Sequence, residues 1–466
     1  LLISVVSKIT TEMHYLEADD PSGEFRVILP RRTGVEYHVE HAVVAGEDRF
    51  LILHNDEVDG AKADNFVLVD APVSDPTSTT MLVPHRDDVR LEDVDAFAEH
   101  LVLSYRRGAV PRMALWPLGP DGYGEPAELE FDEELFSVGL GANPEWSAPL
   151  LRFGYTSFIT PSQVYDLNPA TGERILRKSQ PVLGDFDPTR YTQKREWATA
   201  ADGTRIPLSV IARRDVTGPA PTLLYGYGSY EASMDPGFSV SRLSLLDRGI
   251  VFVIAHVRGG GEMGRRWYDD GKMLRKKNTF TDFVSAAHHL IDTGVTTPTQ
   301  LVADGGSAGG LLMGAVANMA PELFAGILAN VPFVDPLTSI LDPSLPLTVI
   351  EWDEWGDPLH DAEVYHYMKS YSPYENVEAK DYPAILAVTS LNDTRVLYVE
   401  PAKWVAALRA KNTGGEPILL KTEMNAGHGG VSGRYEQWRE VAFEYAWVIS
   451  RTGAEQVAER VLDESN

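Results

Sequence analysis

The sequence predicts an all-β half followed by an α/β half built on a doubly wound, mostly parallel sheet. Three observations carry that expectation. Extended runs recur at a period of roughly fifty residues over the first ~180 positions. Near Asp185-Phe186-Asp187-Pro188 the pattern changes to continuous apolar runs separated by helix-length segments. At one junction between such a run and such a segment stands a G-x-S-x-G turn.

In the first half, strand-like runs begin at Leu1 (LLISVVS), Phe50 (FLILHND), His100 (HLVLSYRRG) and Leu150 (LLRFGYTSF). Each is followed by a turn and a second extended run, at 12–16, 65–69, 112–118 and 163–167, with shorter runs such as 25–29 and 81–84. Hairpins repeating at this spacing are the pattern of β-propeller blades, the alternative being a generic antiparallel domain with evenly spaced strands. A closed propeller usually takes more than the three to four units present. The chain also opens on a strand already in progress, with neither Met nor the charged flank of a signal peptide. The expectation is that further blades, and any targeting signal, precede Leu1.

Beyond about residue 190, runs at 191–198 and 208–212 still read as strands. Those at 222–225, 250–255, 301–303, 325–329, 384–389 and 418–421 are near-continuous apolar runs of the kind found in strands buried on both faces. Between them, 280–293, 311–319, 401–411 and 435–450 have the length and composition of helices. The predicted division is 1–185 for the blades and 186–466 for the α/β domain.

Composition narrows the function. The 466 residues exceed one ordinary domain, and a 44% hydrophobic content is ample for buried cores. Sixty-eight acidic against 41 basic side chains give a net charge of −27. Such a field repels phosphate backbones and anionic lipid, so neither nucleic acid nor a membrane surface is an expected partner. It favours a cationic ligand if acids line a cleft, while much of the excess serves as solvated surface. With no cysteine, disulfides, thiolate metal sites and cysteine nucleophiles are excluded, and the chain suits the cytoplasm. No apolar run approaches the roughly 20 residues of a spanning helix. No ligand cluster calls for a metal or an organic cofactor.

The chemistry concentrates in LVADGGSAGGL, residues 301–311. A sharp strand-to-helix turn at Ser307 would push its hydroxyl into a cleft, with small neighbours leaving room for a strained backbone. The Ala308 N–H, at the helix N-terminus, would then face a developing oxyanion. A serine hydroxyl is a weak nucleophile until a base takes its proton, so an acid and a histidine should follow downstream. Asp393 stands in SLNDTR after the apolar run at 384–389, and His428 in NAGHGG after the run at 418–421. Both are post-strand loops, in the order that the α/β-hydrolase fold requires. Of the other histidines in this half, His256 precedes the turn. His288, His289, His360 and His366 lack a glycine-bounded post-strand loop.

With these residues in place, the chain resembles the prolyl oligopeptidase family of serine peptidases, in its Arg/Lys-cleaving branch. The likeness runs through nearly the whole chain and is most specific in YGYGSY (225–230), SRLSLLDRG (241–249), HVRGGGEMGRRWYDDGK (256–272), GGSAGG (305–310), EWDEWGDP (351–358), NDTRV followed by EPAKWVA (392–406) and GHGG (427–430). The resemblance implies an α/β-hydrolase catalytic domain joined to the later blades of a seven-bladed β-propeller. It implies a missing N-terminal segment of the same protein as a packing partner. The implied activity is cleavage of short basic peptides after Arg or Lys. It also implies that Tyr227 joins the Ala308 N–H in the oxyanion hole, and that Glu351 and Asp353 bind a P1 guanidinium or ammonium with Phe333 along its stem. Read without it, Glu351 and Asp353 would be an exposed acidic loop. Arg395 matches a position contacting the peptide, or else partners a nearby carboxylate. Asp235 matches the first of two acids that bind P2, but Gly237 stands at the second, which leaves dibasic selectivity open. A prolyl- or acylaminoacyl-type peptidase or esterase, or a non-catalytic propeller-bearing binding protein, are the competing readings.

Overall fold

The structure is a computed structural model that describes residues 1–454. It divides into two units: residues 1–181 with 235–238 and 262–266, and residues 182–234, 239–261 and 267–454.

The first unit is a succession of antiparallel sheets. Leu2–Val6, Thr11–Tyr15 and Arg26–Leu29 form the first, and Tyr37–Val44, Glu47–His54, Val67–Pro72 and Thr80–Val83 the second. Val89–Ala96, His100–Arg107 and Val110–Gly119, extended by short pieces, form the third; Phe136–Leu140, Leu151–Ser157, Gln163–Leu167 and Arg174–Ser179 form the fourth. Successive side chains of a strand point to opposite faces, and this stacks the sheets. From Glu47–His54, Leu51 and Leu53 pack with Leu101, Leu103 and Trp116 of the third sheet. Phe50 and Ile52 of the same strand pack with Met13 and Ile28 of the first. The run FLIL is continuously apolar because both of its faces are covered. Tyr37–Val44 (YHVEHAVV) and Val89–Ala96 (VRLEDVDA) escaped the sequence reading because polar residues interrupt their apolar ones; Phe136–Leu140 is short and also escaped it. Residues 235–238 and 262–266 join this unit through specific pairings. Arg106 donates from both terminal guanidinium nitrogens to Asp235 (2.5 and 3.0 Å), and the Arg265 N–H donates to Asn65 Oδ1 (2.9 Å).

The second unit holds an eight-stranded sheet, labelled here β1 (Tyr191–Thr199), β2 (Arg205–Arg213), β3 (Thr222–Gly226), β4 (Val251–Ala255), β5 (Leu301–Gly306), β6 (Gly326–Asn330), β7 (Ala384–Ser390) and β8 (Ile418–Glu423). Their order is β1-β2-β4-β3-β5-β6-β7-β8. β1–β2 and β2–β4 are antiparallel, and every pairing from β4 to β8 is parallel. Parallel neighbours need crossovers, which the Lys277–Asp292, Ala308–Met319 and Val399–Lys411 helices help to supply, while the Arg434–Thr452 helix follows the last strand. β4 and β7 are buried along their whole length. The loops that follow β3, β5, β7 and β8 leave the same edge of the sheet, and they carry Tyr227, Ser307, Asp393 and His428. Among the described residues, no helix is long and apolar enough to cross a membrane.

Candidate active site

β5 ends at Gly306 and the next helix begins at Ala308, so Ser307 alone makes the turn, at φ 58° and ψ −115°. Positive φ strains a residue with a Cβ, and the surrounding hydrogen bonds hold it there. The Ser307 N–H donates to the Asn330 carbonyl on β6 (2.8 Å), and its own carbonyl accepts from the N–H groups of Gly310 (2.9 Å) and Phe333 (3.1 Å). The flanking glycines answer to space: a Cβ on Gly305 would come 2.5 Å from the Gly309 carbonyl oxygen, and one on Gly309 would come 2.7 Å from that of Gly226.

His428 Nε2 lies 3.1 Å from Ser307 Oγ, and its Nδ1 lies 2.7 Å from Asp393 Oδ2. The Asp393 side chain is wholly buried, and its Oδ1 accepts the backbone N–H groups of Arg395 and Val396, both at 2.9 Å. Burial pushes this carboxyl upward, but the hydrogen bond from His428 and those two N–H groups outweigh it and hold the group below the ordinary carboxylate range. An ionised Asp393 fixes the imidazole with Nδ1 as donor, leaving the Nε2 lone pair toward the serine.

Tyr227 follows β3, and its ring lies against the first turn of the serine's helix, with Cδ2 3.3 Å from where a Gly309 Cβ would stand. Its side chain is near Ser307. Burial first, then the negative charges of Glu354 and Glu351, raise its pKa, so it stays a protonated donor. The Ala308 N–H, first in the helix, has no partner within it. Phe333 is buried, with its ring 5.4 Å from that of Trp355.

Glu351 lies in the Thr348–Trp355 helix and accepts at one oxygen from the Tyr230 hydroxyl (2.7 Å) and the Trp355 indole N–H (3.0 Å). Asp353, two residues on, points to a different side of that helix, so the two do not form a side-by-side carboxylate pair. The residue sharing Glu351's face is Glu354, which is fully buried and accepts the Tyr230 N–H (3.0 Å) and the Tyr268 hydroxyl (2.6 Å). Arg395 is exposed, and its charge weakly opposes the upward shift of Tyr227. Asp235 belongs to the first unit, where Arg106 occupies both of its oxygens.

Glu354 and Lys276 were missed by the sequence reading. Lys276 Nζ is buried, donates to the Gly228 carbonyl (2.6 Å) and Ser229 Oγ (2.7 Å), and lies 5.1 Å over the Trp355 ring. Burial pulls its pKa down to about 8 against the opposing pull of Glu354. The i, i+3 spacing of Glu351 and Glu354 within EWDEWGDP was a readable signal for one face; nothing local marks Lys276. Behind the serine turn, burial and then the charge of Glu444 push Asp304 of β5 up to about 8. Glu444, on the Arg434–Thr452 helix, is itself pushed up to about 7 by burial and then by Glu440. Among the described residues, no cluster of His, Asp or Glu could hold a metal ion.

A strand–serine–helix turn joined to a His–Asp pair on an eight-stranded, mostly parallel sheet defines an α/β-hydrolase, here following an all-β unit. Residues 236–455 match the prolyl oligopeptidase family, and residues 1–180 match the N-terminal β-propeller domain of prolyl oligopeptidase. The chain belongs to the prolyl oligopeptidase family. It is 45% identical to Protease 2 of Moraxella lacunata, over 98% of this chain and 64% of that protein. It is 47% identical to dipeptidyl aminopeptidase BI of Pseudoxanthomonas mexicana, over 97% of this chain and 61% of that protein. The chain thus spans a little under two thirds of the length of these relatives. Among solved structures, oligopeptidase B from Trypanosoma brucei with covalently bound antipain superposes with a TM-score of 0.91 at 43% identity, covering 97% of this chain and 64% of that one. Oligopeptidase B from Leishmania major gives a TM-score of 0.90 at 41% identity over the same shares.

Proposed function

We propose that the chain is the catalytic part of a serine oligopeptidase that cleaves short peptides after Arg or Lys through an acyl-enzyme. The observation that carries this reading is the continuous hydrogen-bonded line from Ser307 Oγ through His428 to buried Asp393. In the proposed cycle Ser307 Oγ attacks the scissile carbonyl as His428 Nε2 takes its proton. The oxyanion is held by the Tyr227 hydroxyl and the Ala308 N–H. The imidazolium returns the proton to the leaving amine, and the C–N bond breaks. Water, activated by the same imidazole, then splits the ester and regenerates the serine.

Glu351 is assigned to the P1 charge, with Phe333 and Trp355 along the aliphatic stem. Charged hydrogen bonds gain strength in such a partly desolvated setting. Asp353 is proposed as a further negative charge near P1, and Arg395 as a contact to the peptide. Asp235, already paired, is proposed as a P2 acid of secondary weight. The lack of cysteine supports a cytoplasmic setting as part of the proposal. Comparing kcat/KM of the full-length protein on Arg-, Lys-, Pro- and Phe-ended p-nitroanilides tests the specificity. Arg or Lys should lead, and faster turnover of Pro or Phe overturns it.

The 47% identity to a dipeptidyl aminopeptidase favours a second reading, release of dipeptides from free N-termini. Blocking the N-terminus of an X-Arg p-nitroanilide separates the two: an endopeptidase retains activity on it, whereas a dipeptidyl peptidase loses it.

A further inference from the structure

We propose that Lys276 and Glu354 are positioning residues that clamp the 227–230 loop from two sides and set the aim of the Tyr227 hydroxyl. The inference rests on the peptidase reading above, and neither residue is assigned contact with a reacting atom.

The loop needs an external hold. Gly228 adopts φ +73°, and its neighbours leave no room for a side chain, since a Cβ there would come 2.5 Å from Thr279 Cγ2 and 2.6 Å from Val257 Cγ2. Tyr230 and Glu231 follow with φ of 63° and 58°, two left-handed residues with side chains in succession. A segment of this kind is costly to hold by its own torsions and persists where its peptide groups are pinned.

The pins come from elsewhere in the fold. Lys276 Nζ donates to the Gly228 carbonyl and to Ser229 Oγ, fixing the Gly228–Ser229 peptide one residue beyond Tyr227. Glu354 Oε1 accepts the Tyr230 N–H at the other end of the same turn, while its Oε2 is held by the Tyr268 hydroxyl. The charge of Glu354 opposes the effect of burial on Lys276. Glu354 also shares a helix face with Glu351, which holds the Tyr230 hydroxyl. One helix therefore carries both the acid assigned to P1 and the acid that fixes the oxyanion loop. The alignment of an oxyanion donor matters at the scale of tenths of an ångström, so a loosened clamp should act on the transition state more than on substrate binding.

A double-mutant cycle in the full-length protein, read on an Arg p-nitroanilide, tests this. Tyr227→Phe alone should lower kcat about 10²-fold. Lys276→Met should lower kcat about 10²-fold with KM within a factor of about 3, but cost less than about 3-fold when Tyr227 is already Phe. Glu354→Gln keeps an acceptor for the Tyr230 N–H and should show the same non-additivity at about 10-fold. Equal costs in both backgrounds, a loss confined to KM, or loss of fold in both single variants would overturn the inference. Absence of turnover in the unmutated protein would instead overturn the peptidase reading on which it rests.

Discussion

On one side of Ser307 stand His428 and Asp393, each on a loop leaving the end of a parallel strand and each touching the next member of the line. On the other side the Tyr227–Tyr230 loop is held by Lys276 and Glu354, buried charges brought in from separate elements. The first side is a chain of direct contacts in which, on the proposed function, His428 takes the Ser307 proton and Asp393 orients the imidazole. The second is scaffolding for a single donor. Loss of a link in the first should stop the chemistry, whereas loss of a brace in the second should only spoil its aim.

The largest expected effect sharpens that contrast. Ser307→Ala should lower kcat by about 10⁶-fold and abolish labelling by a fluorophosphonate, leaving peptide affinity measured by calorimetry close to that of the unmutated protein. Asp393→Asn should cost about 10⁴-fold in kcat through the wrong imidazole tautomer, measured by steady-state kinetics. A loss below 10-fold would remove Asp393 from the line.

Glu351→Gln addresses the other side. It should lower kcat/KM for Arg substrates by one to three orders of magnitude, about 1.4–4 kcal/mol, with Phe substrates little changed. An unaltered Arg/Phe ratio would separate Glu351 from the P1 charge.

The smallest effect concerns the acids behind the turn, which belong to neither side. Glu444 has a folded-state pKa raised to about 7, so its carboxyl favours the folded state below its unfolded value near 4.5 and loses that contribution as pH rises through 7. Glu444→Gln should therefore raise stability at pH 8 by about 1–3 kcal/mol and leave it unchanged at pH 4, read by thermal melts at both values. A melting temperature raised equally at both would show that the group does not titrate between them.

The contact side was legible in the sequence because its signals are local. GGSAGG, SLNDTR and NAGHGG each follow an apolar run, and glycine marks where a backbone must turn or be approached closely. The brace was not. Lys276 sits in RKKN beside two other basic residues, and only the fold distinguishes the one whose Nζ is buried. Without the resemblance Glu351 and Asp353 read as an exposed acidic loop; they lie instead on the Thr348–Trp355 helix, where about 100° per residue sets them on different sides. In the first half the doubly covered strands declared themselves, while Tyr37–Val44 and Val89–Ala96, half polar, look like loop unless their register is known.

Ser307 carries a further consequence. Its left-handed backbone costs on the order of 1–3 kcal/mol in any residue bearing a Cβ, and glycine would be relieved of it. At this position the hydroxyl and the ease of folding pull in opposite directions. On the proposed function, a lineage freed from the need to hydrolyse peptides would gain thermal robustness by the very substitution that disarms it, so an inactive descendant could outlast its working ancestor in heat.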